Sequence, residues 1–248
     1  MSATPDDVLA GRARWCVVVG DALDLVRSLP DGAVDAIVSD PPYASTGDAA
    51  SLMVREGAPK EIQFYEAWAR EHLREWLRVM GPKGAAWFTC DWRGAMAFDM
   101  SAHRLGCKPP VVGVWDLGGL GMGHVLRKVW EAFVVVQGAE FVRRRADEPD
   151  LWRHEWQAAH RSGLHGAEKP IALVARAVRL VSDPGAVVLD PFAGSGTTGE
   201  AAIREGRRAI LFERDPEFAA IAAGRCEAAV DGRDWRRPEQ GALFGVAS

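Results

Sequence analysis

The stretch Val187–Thr198, which reads VVLDPFAGSGTT, predicts a buried strand, a glycine-rich turn and the start of a helix. Glycines at Gly194 and Gly196 let backbone N–H groups approach a ligand closely, and a helix N-terminus attracts an anion such as a carboxylate. The next hydrophobic run ends at Glu213, whose carboxylate can accept hydrogen bonds from both hydroxyl groups of a ribose. Together these features predict an adenosine-type cofactor site.

A second motif, Ala36–Tyr43, reads AIVSDPPY and again joins a hydrophobic strand to a polar turn. Its two prolines fix the backbone, so the Asp40 carboxylate and the Pro41 carbonyl can point to one place as hydrogen-bond acceptors. Two acceptors would suit the N–H bonds of a nucleobase amino group, and Tyr43 could stack on a base turned out of a duplex. The predicted catalytic residues are therefore Asp40, Pro41, Pro42 and Tyr43.

Short β-branched runs alternate with stretches of helical period, which predicts an α/β fold with a mostly parallel sheet and helices on both faces. The seven predicted strands are Cys16–Val19, Ala36–Ser39, Ala85–Cys90, Val111–Trp115, Phe133–Gln137, Ala186–Asp190 and Ala209–Glu213. The predicted helices are Ile62–Met80, Pro170–Val181, Thr197–Glu205 and Pro216–Ala229. Ligands of such sheets bind outside the carboxyl ends of the strands, so Asp21, Asp40 and Asp190 are expected at one rim.

The composition fits one globular domain spanning residues 1–248, with 48% hydrophobic and 26% charged residues. No apolar run is long enough for a membrane span, and the first residues lack a signal-peptide pattern, so we expect a cytoplasmic protein without a membrane partner. The four widely spaced cysteines argue against a zinc site or a disulfide framework, and no metal is expected.

The two motifs resemble those of the beta class of DNA amino-methyltransferases: DPPY is similar to that family's catalytic motif, and DPFAGSGTT to its cofactor loop. The catalytic motif comes first along the chain, which is the permuted order of that class. Further segments resemble the family's motifs: Gly20-Asp21, Arg127–Glu131 (RKVWE), Glu168-Lys169-Pro170, and Phe212–Asp215 followed by Arg225. The resemblance covers most of the chain and implies a Rossmann-like methyltransferase fold with circularly permuted motifs.

The resemblance also implies direct methyl transfer from S-adenosyl-L-methionine to an exocyclic amino group of a flipped-out DNA base, with neither a metal nor a cysteine nucleophile. The cofactor-binding residues it implies are Asp21, Asp40, Lys169, Asp190, Pro191, Phe192, Ala193, Gly194, Ser195, Gly196, Thr197, Thr198, Glu213 and Arg214.

Double-stranded DNA is the expected partner, although the net charge of −4 counts against phosphate binding. We expect residues 140–166 to form a short inserted target-recognition segment, because they mix arginines with aromatic residues suited to phosphate contact, groove reading or stacking. The predicted DNA-binding residues are Arg127, Arg143, Arg144, Arg145, Arg153 and Arg161.

Adenine N6 and cytosine N4 both suit the same pair of acceptors. In the family an acid at the first motif position accompanies adenine more often, so Asp40 favours adenine. An RNA or protein-amide methyltransferase usually has asparagine there. A nicotinamide oxidoreductase would not explain DPPY and would carry the longer glycine motif. A catalytically silent DNA-binding module should have lost one of the motif residues.

Residues 232–248 are expected to form a tail. Within it Gln240–Phe244 (QGALF) resembles the peptide that docks on the bacterial sliding clamp, although a disordered or packed tail is the favoured interpretation. A homodimer is an open alternative to a monomer.

Overall fold

A computed structural model of the chain describes residues 3–44, 62–121, 125–154 and 168–235. Eight strands of these residues form one sheet. The strands are β1 (Trp15–Val19), β2 (Ala36–Ser39), β3 (Ala85–Cys90), β4 (Val111–Asp116), β5 (Trp130–Gln137), β6 (Leu151–Arg153), β7 (Val187–Asp190) and β8 (Arg208–Glu213).

The strand order across the sheet is β1-β8-β7-β2-β3-β5-β4-β6. Only β5 runs antiparallel to its neighbours, so the other seven strands point the same way. Those seven strands end at one edge of the sheet, which we call the carboxyl edge, and begin at the opposite amino edge. Chain segments that follow β1, β2, β7 and β8 therefore gather at the carboxyl edge.

Seven helices of the described residues cover the sheet: α1 (Pro5–Leu9), α2 (Ala22–Ser28), α3 (Ile62–Met80), α4 (Trp92–Arg104), α5 (Ile171–Val181), α6 (Thr197–Arg204) and α7 (Pro216–Val230). Helices α1 to α4 share one hydrophobic core, and α5 to α7 share another. Alternate strand residues supply the two cores, because successive side chains of a strand point to opposite faces. On β2, for example, Ile37 joins the first core while Ala36 and Val38 join the second.

The predicted α/β fold with a Rossmann-like, mostly parallel sheet is confirmed, with one strand more than the seven expected. The additional strand β6 has only three residues and lies inside the segment predicted to be an insertion, where it extends the sheet beside β4. The four predicted helices agree with α3, α5, α6 and α7, whereas α1, α2 and α4 were not predicted. Among the described residues, no helix combines the length and the apolar character needed to cross a membrane.

Candidate active site

The two sequence motifs meet because their strands are neighbours at the middle of the sheet. Parallel pairing aligns Ala36 with Val188 and Ile37 with Leu189, so Asp40 follows the end of β2 and Asp190 ends the neighbouring β7. The Ser39 hydroxyl donates a buried hydrogen bond of 2.6 Å to Oδ1 of Asp190. The catalytic motif and the glycine-rich turn are therefore coupled directly, although this serine and aspartate are 151 residues apart in the sequence.

A pocket of about 480 Å³ opens at the carboxyl edge beside this junction. Its walls come from the turn after β1, the glycine-rich turn after β7, the turn after β8, and one face of α3. The lining includes Asp21, Pro42, Trp68, His72, Pro191, Phe192, Gly194, Glu213, Arg214 and Phe218. Its volume falls within the range of about 300–1,000 Å³ that is usual for small-molecule sites. Apolar and aromatic walls with a few carboxylates suit a flat, polar heterocycle joined to a sugar.

Glu213 is held at this pocket by the backbone. Its Oε2 accepts a hydrogen bond of 2.7 Å from the Gly194 N–H, and its Oε1 accepts one of 3.0 Å from the Asp215 N–H. Each carboxylate oxygen has a second lone pair, so the side chain can still accept hydrogen bonds from a pair of neighbouring hydroxyl groups. This geometry suits the predicted role at a ribose.

A smaller cavity lies beside the large pocket and shares Phe192 and Gly194 with it. Its lining includes Asp40, Thr89, Glu168, Lys169, Asp190, Ala193, Ser195, Thr197 and Thr198. Helix α6 begins here after Gly196, which has φ of +85° and no side chain to cap the first turn. A Cβ atom at this glycine would lie 2.7 Å from the Ala222 Cα, so the turn requires glycine. The uncapped N-terminus of α6 therefore offers N–H groups to an anionic ligand.

Asp190 lies at the floor of this cavity and is almost completely buried. Burial raises the pKa of Asp190 to about 6, against hydrogen bonds from Ser39, Thr198 and the Phe192 N–H that favour the charged form. The nearby Asp40 charge adds to the increase. Asp190 therefore stabilises the turn after β7 from a buried position, because its carboxyl group accepts the hydrogen bond from the Phe192 N–H.

Two side chains orient the Asp40 carboxylate. The Thr89 hydroxyl, at the end of β3, donates to Oδ1, and the Lys169 ammonium group donates to Oδ2 over 2.9 Å. Thr89 is fully buried and Lys169 is only 11% exposed, so both contacts are shielded from water. Lys169, a predicted cofactor residue, lines the smaller cavity, and its ammonium group binds the predicted catalytic aspartate.

Tyr43 is fixed by neighbours from two other parts of the chain. Its hydroxyl donates to Oε2 of Glu131 over 2.7 Å, and the Lys169 ammonium lies 5.4 Å from its ring centroid. Lys128 pairs with the same glutamate at 2.8 Å. Burial, together with the charges of Asp40 and Glu131, raises the pKa of Tyr43 well above its usual value, so the phenol stays neutral. The aromatic ring thus stands next to the Asp40 carboxylate in a defined orientation.

The backbone of the catalytic motif is supported from α3. The Tyr65 hydroxyl donates a hydrogen bond of 2.9 Å to the Pro42 carbonyl oxygen. Pro41 and Pro42 are both buried. Tyr65 therefore fixes the backbone of the proline pair, which is predicted to position Asp40.

A buried ion cluster lies behind the glycine-rich turn. The Arg225 guanidinium of α7 pairs with Glu168 at 2.8 Å and with Glu200 of α6, and it also reaches the Ser195 hydroxyl at 3.4 Å. None of the three charged side chains is more than 5% exposed. The cluster joins the turn to α6, α7 and the residue that precedes Lys169.

Arg143, Arg144 and Arg145 do not lie near this site. Their segment follows the end of β5 at the amino edge, and Arg144 pairs at 3.0 Å with Asp183, which precedes β7 at that same edge. Arg145 pairs with Glu148 at 3.3 Å. The antiparallel β5 delivers the chain to the amino edge before β6 returns it along the sheet, so these three predicted DNA-binding residues lie at the edge opposite the active site.

Arg127 and Arg153 do lie at the carboxyl edge. Arg153 ends β6 and is 3.7 Å from Asp116, while Arg127 follows the turn after β4. Arg161 and the clamp-like segment Gln240–Phe244 fall outside the described residues. No group of three or more metal-ligating side chains occurs in the described ranges.

Four residues of the site were not singled out in the sequence: Thr89, Glu131, Trp68 and His72. Thr89 and Glu131 come from neighbouring strands, whereas Trp68 and His72 share one face of α3 at a spacing of four residues, with ring centroids 4.1 Å apart and ring planes tilted by 34°. Glu131 does fall within the RKVWE segment that resembled a base-pocket motif. A search for polar residues at other strand ends would have indicated Thr89.

The sequence model of a family described as DNA methylase, with members acting on N6 and N4 amino groups, matches residues 34–224. A DNA adenine methyltransferase of Escherichia coli strain K12 is 26% identical over 88% of this chain and 85% of its own length. The cytosine-N4-specific PvuII DNA methyltransferase superposes with a TM-score of 0.70 at 18% identity, over 92% of this chain and 88% of its own. A proposed DNA modification methylase from Thermus thermophilus, solved with S-adenosyl-L-methionine, gives a TM-score of 0.65 at 24% identity, covering 89% of this chain and 97% of its own.

Proposed function

Because the chain belongs to the N6/N4 DNA methylase family, we propose that it transfers a methyl group from S-adenosyl-L-methionine to the N6 amino group of adenine in double-stranded DNA. One observation carries this proposal: the Asp40 carboxylate and the glycine-rich turn follow adjacent strand ends, joined by the hydrogen bond from Ser39 to Asp190. A methyl donor in the turn and an amino group at Asp40 would meet at that junction.

The residues of both cavities fit the donor. The two oxygens of Glu213 suit the ribose hydroxyls, the aromatic walls suit adenine, and the uncapped N-terminus of α6 suits the methionine carboxylate. When bound, S-adenosyl-L-methionine supplies a methyl group attached to a positively charged sulfur. The carboxylates of Asp40 and Asp190 line the smaller cavity, where they would face such a sulfur.

The Asp40 side chain and the Pro41 carbonyl would accept the two N–H bonds of the target amino group. Tyr43 would stack on the flipped base, while Thr89 and Lys169 hold the Asp40 carboxylate in place. As the nitrogen acquires positive charge, the Asp40 carboxylate stabilises it without reorganising. Most of the acceleration then comes from orientation, for which effective molarities of about 10⁵ M or more are known.

Adenine is preferred over cytosine for two reasons. The motif begins with Asp40, and an acid at this position accompanies adenine more often in the family. The adenine-specific Escherichia coli relative also matches 88% of the chain. The likeness to the cytosine-N4 enzyme is a likeness of fold. Both amino groups could be held by the same acceptors, so the modified base has to be identified directly.

The deciding experiment incubates the purified chain with unmethylated, amplified bacterial DNA and S-adenosyl-L-methionine labelled in its methyl group. We expect labelled N6-methyldeoxyadenosine after digestion to nucleosides. Labelled N4-methyldeoxycytidine would mean that the target base is cytosine and not adenine. DNA without label would refute the proposal.

Three variants test the assignment of the site. Asp40→Ala should lower the rate by at least about 100-fold, because it removes the group aimed at the developing charge.

Thr89→Val should lower the rate by about tenfold through loss of one hydrogen bond to Asp40, while Thr89→Ser retains the hydroxyl and the rate. Equal rates for the valine and serine variants would contradict the orienting role of Thr89. Cofactor affinity, measured by calorimetry, should change less than the rate in the valine variant, because Thr89 acts mainly through Asp40.

A further inference from the structure

The hairpin loop between β4 and β5 carries several strongly exposed apolar side chains. Val125 is 87% exposed, Leu126 is 85% exposed and Leu120 is 66% exposed. A single exposed leucine is ordinary on a protein surface, but neighbouring apolar side chains on one projecting loop usually mark a binding surface. Residues 122–124 of this loop fall outside the described residues, whereas Val125 and Leu126 are described.

The loop is fastened on both sides of these two residues. The Arg127 guanidinium donates to the carbonyl oxygens of Gly121 and Leu120, at 2.9 and 3.2 Å. Backbone hydrogen bonds also run from the Gly121 N–H to the Lys128 carbonyl and from the Leu117 N–H to the Val129 carbonyl. The chain segments on either side of Val125 and Leu126 are therefore tied to each other.

The loop borders the pocket proposed for the flipped base. Lys128 pairs with Glu131, which accepts the Tyr43 hydrogen bond, and the Lys128 ammonium lies 5.7 Å from the Tyr43 ring centroid. Leu126 precedes Lys128 by two residues, so their Cα atoms are at most about 7.6 Å apart. Val125 and Leu126 therefore lie within three residues of the lysine whose side chain contacts Tyr43 and Glu131.

We propose that Val125 and Leu126 form an apolar wedge that enters the base stack of double-stranded DNA beside the target nucleotide. The inference rests on the proposed function. Proteins that unstack or kink DNA insert leucine and other apolar side chains between bases, and a flipped base leaves a gap in the stack that such side chains can fill. Arg127 follows directly, and because its partners are neutral carbonyl groups, its positive charge complements the phosphates of the same duplex.

The experiment uses the full chain and begins by mapping the bases that the wild type methylates in amplified bacterial DNA. Short duplexes with that site are then made in two forms, one with a normal partner for the target base and one with an abasic partner. Because the abasic form leaves the target unpaired, flipping it costs less. The variant is Val125→Ala/Leu126→Ala, and the matched control is Val112→Ala/Val142→Ala, which shortens two exposed apolar residues away from the carboxyl edge.

We expect the wedge variant to lose about tenfold or more in kcat/KM on the paired duplex and less than about threefold on the abasic duplex. The control should match the wild type on both duplexes, and all proteins should bind S-adenosyl-L-methionine equally. An equal loss on the two duplexes, or no loss, would overturn the wedge while leaving the proposed function intact. A wild-type dimer that dissociates in the wedge variant would also overturn it, in favour of a second copy of the chain as the occupant. A wild type that methylates no DNA would refute both proposals.

Discussion

At the scale of single residues, the buried Asp190 links pH to stability. Its pKa of about 6 in the folded protein exceeds its ordinary value of 3.8. Between these values the folded state keeps a proton that the unfolded state has lost, so the free energy of unfolding falls as the pH rises through this interval. The difference between the two pKa values corresponds to about 3 kcal/mol in the free energy of unfolding. This stabilisation is fully present below about pH 4 and is lost above about pH 6.

The prediction is tested with Asp190→Asn, which cannot titrate. Urea unfolding of wild type and variant at several pH values gives the difference in their free energies of unfolding. Between about pH 4 and pH 7 the wild type should lose about 3 kcal/mol in its free energy of unfolding relative to the variant. A difference that stays constant over this range would contradict the raised pKa.

Site residues that follow one another in the chain could be predicted from the sequence. The strand, the proline turn and Tyr43 form one short motif, and the glycine-rich turn forms another. Thr89 and Glu131 escaped prediction because they reach Asp40 and Tyr43 from positions 49 and 88 residues away in the sequence. Pairing of this kind depends on strand order, which periodicity does not reveal.

At the scale of elements, Arg225 holds α7 against α6 and the residues before α5. Arg225→Met should lower the free energy of unfolding by about 3–5 kcal/mol, since it leaves Glu168 and Glu200 buried without their cation. The control Arg179→Met breaks an exposed pair with Glu205 and should cost at most about 1 kcal/mol. Urea unfolding measures both, and equal effects would contradict the importance of burial.

Elements with a strong period were predicted nearly to the residue, as α3 and β3 illustrate. The unpredicted helices α1 and α2 have only five and seven residues, too few for a helical period to become visible. Helix α4 has thirteen residues, but Trp92, Met96 and Met100 are exposed on it, so its apolar residues do not mark a single buried face. The three-residue strand β6 depends on pairing with β4 and carries little pattern of its own.

At the scale of the whole molecule, the two edges of the sheet should differ in their response to DNA. Arg127→Ala/Arg153→Ala at the carboxyl edge should weaken DNA binding and lower its salt dependence by about one unit of slope for each phosphate contact removed. Arg143→Ala/Arg145→Ala at the amino edge should change neither. Titrations of labelled duplex DNA at several salt concentrations provide the measurement. A weaker affinity in the second variant would support DNA binding by the arginine triplet after all.

The neighbours that complete the site come from opposite halves of the chain, since β1 pairs with β8 and β2 pairs with β7. During synthesis on a ribosome, the DPPY motif emerges about 150 residues before its partner strand, and that distance has to be closed before either motif is complete. Such long-range pairing slows folding. A nascent chain stalled before β7 should therefore be unable to bind the methyl donor. The ability to bind it should arise late in synthesis and in a single step.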